Sequence, residues 1–392
     1  MSLFDDDDII YDDDIGDDTD IDGFPDVNES EKLTDPQSMS FCLGHNDQEK
    51  MFIELFEKDS MPHAMIFAGA QGIGKSTMAF RLARFLLKNG NKDQNQDSLF
   101  GGDDVAHDIS SLDVPSDDPV FSRIASGGHA DFLYIARNYD ASKGKWDANL
   151  KVEALRKIEP FLRKTSSEGG WRIVIVDDAD TMNRNAQNAI LKILEEPPAN
   201  VLIILITHRP GMLIPTIRSR TRFVQFSPLS SEILLDLLHK QSDHPVPSLD
   251  QMDILSSISE GSIGKAINFI DGGGFDTLIQ IFDLLDEYPN WNWVKIHQFS
   301  SSISSPAQDK EYRMFVELLK WLFRQMLSSK ARGGQDLPTF LQRDSLMNIM
   351  SEMSLESLIS ITDGLKHHFD RVEFSNLDRR DAVRGCFLVI SQ

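Results

Sequence analysis

The sequence predicts an α/β fold, a parallel sheet with helices on both faces, followed by a small helical unit and an all-α C-terminal region. Three observations predict it. Short apolar runs at residues 64–68, 173–176 and 201–206 alternate with helical patterns through the first 228 residues. A glycine-rich turn joins the first run directly to its helix. After about Phe226 the strand-like runs cease, and apolar stripes at helical spacing take over.

The chain has 392 residues, too long for one compact core. Its hydrophobic share of 41% is ordinary for a soluble globular protein, and no uncharged apolar run is long enough to span a membrane. The opening MSLFDDDDII lacks the basic region and apolar core of a secretory signal. Cys42 and Cys386 are the two cysteines, which excludes a disulfide framework or a four-cysteine zinc site and points to a reducing cytoplasm. Net charge is −23, of which residues 1–31 carry −14 from twelve Asp and two Glu with no Lys or Arg. Such a run cannot bury enough apolar surface to offset chain entropy, so residues 1–38 are expected to be a disordered acidic tail. The remainder is mildly acidic, so contact with DNA would come from a local basic patch or from partner subunits.

After the tail, residues 49–58 read as a helix and residues 64–68 as a buried strand. A helical pattern over 77–87 carries Met78, Phe80, Leu82, Ala83 and Phe85. Residues 89–128, rich in Gly, Asn, Asp and Ser, are expected to be a polar insertion rather than a folded element. A strand at 132–136 and a helix at 152–164 precede the β-branched run 173–176, which suits a central parallel strand. The helix over 183–196 must stop at Pro197-Pro198, since Pro197 disfavours the α region for the residue before it. Residues 230–271 read as a small helical unit, and 275–392 as a helical domain with the stripe Phe315, Leu318, Leu319, Leu322, Phe323 and Met326.

Gly69-Ala70-Gln71-Gly72-Ile73-Gly74-Lys75-Ser76 fits G-x-x-x-x-G-K-[ST] between a strand and a helix. Glycines at 69, 72 and 74 let the backbone curl so that its N–H groups face phosphate at a positive helix N-terminus. Lys75 is expected to reach the β and γ phosphates, Ser76 to ligate Mg²⁺, and Thr77 to complete the binding set. Val174-Ile175-Val176-Asp177-Asp178 is an apolar strand ending in carboxylates, where Asp177 would hold Mg²⁺. Efficient hydrolysis usually has Glu at the position of Asp178, so slow turnover is expected. Asp180 reads as a turn or helix cap. Thr207 ends the run 201–206, where its hydroxyl could sense a γ-phosphate or position water. Arg218 and Arg220, two residues apart, could stabilise phosphate charge or be solvated charges. Lys265, early in the helix that begins near Ser262, could face phosphate as a sensor or be an exposed lysine.

These pieces resemble, in order, the AAA+ clamp-loader family, and within it the delta prime subunits of bacterial DNA polymerase III. Asn183-Arg184-Asn185-Ala186-Gln187-Asn188-Ala189-Ile190-Leu191-Lys192-Ile193-Leu194-Glu195-Glu196-Pro197-Pro198 is similar to that family's signature helix. Pro215-Thr216-Ile217-Arg218-Ser219-Arg220 resembles its arginine-finger motif. Leu43-Gly44-His45, Met61-Pro62-His63-Ala64 and Asn376-Leu377-Asp378-Arg379 resemble family segments at the two ends. The resemblance implies an AAA+ nucleotide-binding domain over 39–228, a helical lid over 229–272 and a helical collar over 273–392. It implies a cytoplasmic subunit that binds ATP and Mg²⁺ and works with delta, tau/gamma, the sliding clamp and primed DNA. Arg220 would act in trans on a neighbour's ATP. Thr221 stands where the family has Cys, and residues 89–128 hold no cysteine, so no zinc is expected. The alternatives are a tau/gamma-like motor ATPase and another P-loop ATPase or kinase.

Overall fold

The computed structural model describes residues 35–90, 109–140, 145–241, 247–334, 336–375 and 377–391. The first 34 residues of the expected tail and residues 91–108 of the expected insertion lie outside that set.

Five parallel strands form the central sheet: β1 (Ala64–Ala68), β2 (Phe132–Ile135), β5 (Arg172–Val176), β6 (Val201–Thr207) and β7 (Arg222–Gln225), in the order β2-β5-β6-β1-β7. A two-stranded antiparallel ribbon, β3 (Tyr139–Asp140) with β4 (Lys145–Trp146), lies apart from it. β1, β5 and β6 are buried along their whole length, as apolar strands in a sheet covered on both faces should be. Alternate residues point to opposite faces. Met65, Phe67, Ile173, Ile175, Leu202 and Ile204 share one core with α1 (Asn46–Glu57), α2 (Lys75–Asn89) and α3 (Pro119–Ala125). Ala64, Ile66, Val174, Val176, Ile203 and Leu205 share a second with α4 (Val152–Leu155), α5 (Ile158–Leu162), α6 (Arg184–Glu195) and α7 (Pro215–Arg218).

α6 begins where the Asn183 side chain accepts the Ala186 N–H, and it ends at Glu195, ahead of the paired prolines. The expected helix over 152–164 is instead the two short helices α4 and α5. Part of the stretch expected as an unfolded insertion is folded. α3 is started by the Asp118 side chain accepting the Val120 N–H, and it buries Val120, Phe121 and Ile124. Leu112 and Val114 ahead of it are also buried. Spaced apolar residues in a polar stretch were enough to dock it against α2.

Beyond β7 the chain is helical: α8 (Ser231–Gln241), α9 (Leu249–Ser259), α10 (Ile263–Asp271), α11 (Gly274–Leu285), α12 (Trp293–Ser302), α13 (Asp309–Ala331), α14 (Asp344–Glu352), α15 (Leu355–Ser375) and α16 (Arg379–Ile390). One apolar cluster runs from Leu234 on α8 to Ile390 on α16, centred on Phe315, Leu319, Leu322 and Phe323 of α13. The first helices after the sheet therefore share a core with the C-terminal ones. Among the described residues, no helix is long and apolar enough to cross a membrane.

Candidate functional site

The loop between β1 and α2 is held from outside at three successive carbonyls. The Ile263 N–H of α10 donates to Gly72 O at 3.2 Å, His45 Nε2 lies 2.6 Å from Ile73 O, and Cys42 Sγ is 3.7 Å from Gly74 O. Burial and the charge of Lys75 lower the His45 pKa, although its backbone bond works the other way, so the ring is neutral and Nε2 carries the donated proton. In a trans peptide the next N–H points opposite the carbonyl. Anchoring these carbonyls therefore turns the N–H groups of Ile73, Gly74 and Lys75 to the other side, the arrangement of an anion-binding loop. α2 starts from Gly74 at φ +98° with no side-chain cap, so its first-turn donors are left for a ligand. A Cβ at Gly69 would lie 2.5 Å from Phe226 O, which explains the glycine there by close approach of the chain just after β7.

Ser76 Oγ donates to Asp177 Oδ2 at 2.8 Å. Tyr134 at the end of β2 donates to the same oxygen at 3.1 Å, and the Asp178 N–H donates to Oδ1 at 3.0 Å. Burial and the neighbouring Asp178 raise the Asp177 pKa. Asp178, at φ +50°, is held by His208 Nε2 at 3.0 Å and Arg137 Nε at 2.9 Å. Burial by itself would push its carboxyl up, but those two partners carry it well below the usual range. An adjacent hydroxyl and carboxylate are hard oxygen donors suited to Mg²⁺, and a cation would offset the burial cost of Asp177. No group of three or more His, Cys, Asp and Glu among the described residues could hold a metal ion, so phosphate and water would have to complete the shell. Ser76 and Asp177 fit that partial role.

Lys75 is 3% exposed, and its Nζ donates to Gly69 O at 2.8 Å and Ala70 O at 2.5 Å and lies 2.9 Å from His208 Nδ1. Thr207 is wholly buried, pairs with Ala68 across the sheet, and accepts the Arg209 N–H at 3.1 Å. Gly69, Gly72, Gly74, Lys75, Ser76, Asp177, Asp178 and Thr207 thus gather at the C-terminal edge of the sheet, with Thr77 half-buried in the first turn of α2.

Arg220 lies elsewhere. Arg220 pairs with Glu195 at 3.0 Å and donates to Thr216 O at 3.1 Å, just before β7. The register Met65↔Arg222 and Ala68↔Gln225 puts it at the end of the sheet opposite the loop that follows Ala68. Arg218 is exposed at the end of α7. Lys265 is not an exposed lysine. It is buried, with Nζ 3.3 Å from Glu260 Oε2, while the Ser262 side chain caps α10. Asp180 does more than cap a turn. Its carboxylate accepts the His208 N–H at 3.1 Å and Arg209 Nε at 3.2 Å, bracing the end of β6. Sequence reading missed His208, Arg137 and Tyr134, which nothing but strand order brings to the site. It took Leu43-Gly44-His45 as family-like without assigning His45 a contact.

A parallel sheet in this order, a glycine-rich loop at its C-terminal edge and a strand-end carboxylate on the loop serine define a P-loop protein of the AAA+ type. Residues 44–230 match the family described as DNA polymerase III, delta subunit. The DNA polymerase III subunit delta′ of Bacillus subtilis is 29% identical over 196 residues, 50% of this chain and 51% of that protein. The replication factor C small subunit of Methanococcus maripaludis is 26% identical over 239 residues, 60% of this chain and 61% of that protein. The DNA polymerase III subunit gamma of Buchnera aphidicola is 27% identical over 238 residues, 60% of this chain and 58% of that protein. A solved gamma subunit-related protein of Thermotoga maritima is similar at a TM-score of 0.40 and 17% identity, covering 88% of this chain and 98% of that one. Over residues 44–230 this chain is similar to the clamp-loader family of AAA+ proteins. The match spans about half to three fifths of the length of these curated relatives.

Proposed function

We propose that this chain is a delta prime-like subunit of a bacterial clamp loader. In that reading residues 39–228 are the nucleotide-binding domain, 229–272 the lid and 273–392 the collar. The chain binds ATP with Mg²⁺ and assembles with delta and tau/gamma subunits to load a sliding clamp on primed DNA. Backbone N–H groups of the loop, with Lys75 and Thr77, hold the phosphates, and Ser76 and Asp177 hold the metal. Mg²⁺ supplies charge neutralisation at the phosphates. Asp178, one methylene shorter than Glu and already held by Arg137 and His208, is poorly placed to orient water, which favours slow turnover.

The observation that carries the partner role is the position of Arg220. β7 alone interposes about 10 Å between it and the level of the chain's own loop, at about 3.3 Å per residue. A guanidinium at that end cannot serve the chain's own nucleotide but is free to swing from Glu195 to a neighbour's. The test is a loader reconstituted with delta, motor subunits and clamp from the same source, comparing wild type with Arg220→Ala. Turnover at the adjoining motor site should fall by about a thousandfold with assembly intact, as loss of an arginine finger does. Unchanged clamp- and DNA-stimulated turnover would remove the trans role. Substantial ATPase from this chain alone would instead favour the tau/gamma-like reading.

A further inference from the structure

Lys75 is the side chain that a phosphate must recruit, and it is engaged elsewhere. Its contacts with Gly69 O and Ala70 O lie within its own loop and can move with it. The third contact differs, because His208 comes from the end of β6, 133 residues away in sequence. An ammonium only donates, so Nδ1 of His208 must accept, which puts the ring proton on Nε2. That proton is donated to Asp178 Oδ1 at 3.0 Å. The His208 backbone is in turn held by Asp180, at 3.1 Å from its N–H. The imidazole is therefore fixed at both ring nitrogens and at its own peptide, and it presents a lone pair to Lys75.

We propose that His208 is a positioning residue that holds Lys75 withdrawn from the phosphate site, so that nucleotide must exchange the Lys75–His208 contact for its own and His208 sets the affinity. The inference rests on the nucleotide-binding reading above. A ligand that binds only the fraction of molecules with Lys75 released loses apparent affinity by that fraction. One hydrogen bond to a charged group corresponds to roughly tenfold.

The two ring nitrogens can be tested separately in the full chain. Asn at 208 sets an amide oxygen near the Nδ1 position and keeps an acceptor for Lys75. Gln sets its amide nearer the Nε2 position and keeps a donor for Asp178. Titration with a fluorescent ATP derivative and Mg²⁺ should show His208→Gln binding about tenfold tighter than wild type and His208→Asn within about twofold of it. Lys75→Ala should show no saturable binding. A general structural defect would weaken both variants rather than tighten one. His208→Gln binding no tighter than wild type, or Asn and Gln tightening alike, overturns the role of the Lys75 contact while leaving the nucleotide reading in place. Absence of saturable binding in wild type and His208→Gln alike overturns both.

Discussion

Glu317 on α13 is a carboxyl with one oxygen, Oε2, buried and without a hydrogen-bond partner, and the other 3.7 Å from Lys320. Burial pushes its pKa up to about 7, a rise that Lys320, Arg324 and Lys265 reduce but do not cancel. A carboxyl whose folded value lies above its unfolded value holds its proton better in the native state. Stability therefore falls as pH rises from about 4.5 to about 7 and stays lower above that. Glu317→Gln should raise the melting temperature at pH 8 and change it little at pH 5, by up to roughly 3 kcal/mol in stability. An equal gain at both pH values would show that charge burial is not the cause. At this scale the contiguous motif was readable: Gly69, Lys75, Ser76 and Asp177 carry their chemistry in local spacing. His208, Arg137, Tyr134 and Asp180 were not, since single polar residues acquire roles only when distant strands bring them together. The burial of Lys265 was not readable either, because α10 turns it into a protein interior that its sequence neighbours do not reveal.

Among the elements, α6 links the P-loop half of the sheet to Arg220, since its last residue, Glu195, is the arginine's partner. Its start depends on the Asn183 side chain, which accepts the Ala186 N–H at 2.9 Å. Asn183→Ala should cost about 1 kcal/mol, and His208 and Lys75 should keep their contacts. A thermal melt lowered by about 2–4 °C is the expected reading, and no shift would mean the cap contributes nothing. β1, β5, β6 and α6 were legible from the sequence because each has a strong period or run and clear stops. β7 was missed because one residue in four is buried, which gives no alternation to detect. α3 was missed because seven residues in a polar stretch give too short a periodic signal.

At the scale of the whole molecule, the segment before α1 is fastened to α2 by Arg84. Its guanidinium donates to Met39 O at 2.7 Å and to Gln37 O at 3.0 Å, and it lies 4.1 Å from the centre of the Phe121 ring. Burial, and then the charge of Arg81, lowers its pKa to about 10. Truncation should therefore show a boundary. Removal of residues 1–34 should leave the melting temperature within about 1 °C, since an acidic run buries little apolar surface. Removal of 1–40 strips Arg84 of its carbonyls and should cost roughly 2–4 kcal/mol, because a buried charge loses its partners. Equal melts for the two truncations would mean that Arg84 finds water as readily as those carbonyls.

The sequence by itself determined the α/β class, the glycine-rich loop between β1 and α2, the carboxylate that follows β5 and the helical character beyond Phe226. Each of these is encoded in residues that neighbour one another along the chain, where period, glycine geometry and proline stops act locally. The tertiary structure alone decided that β6 lies between β5 and β1, that His208 thereby sits between Lys75 and Asp178, and that Arg220 stands at the far end of the sheet. It also decided that the helices after the sheet share one core with the C-terminal helices. Strand order and helix docking are set by the burial of whole faces against each other, a condition that no local stretch of sequence contains.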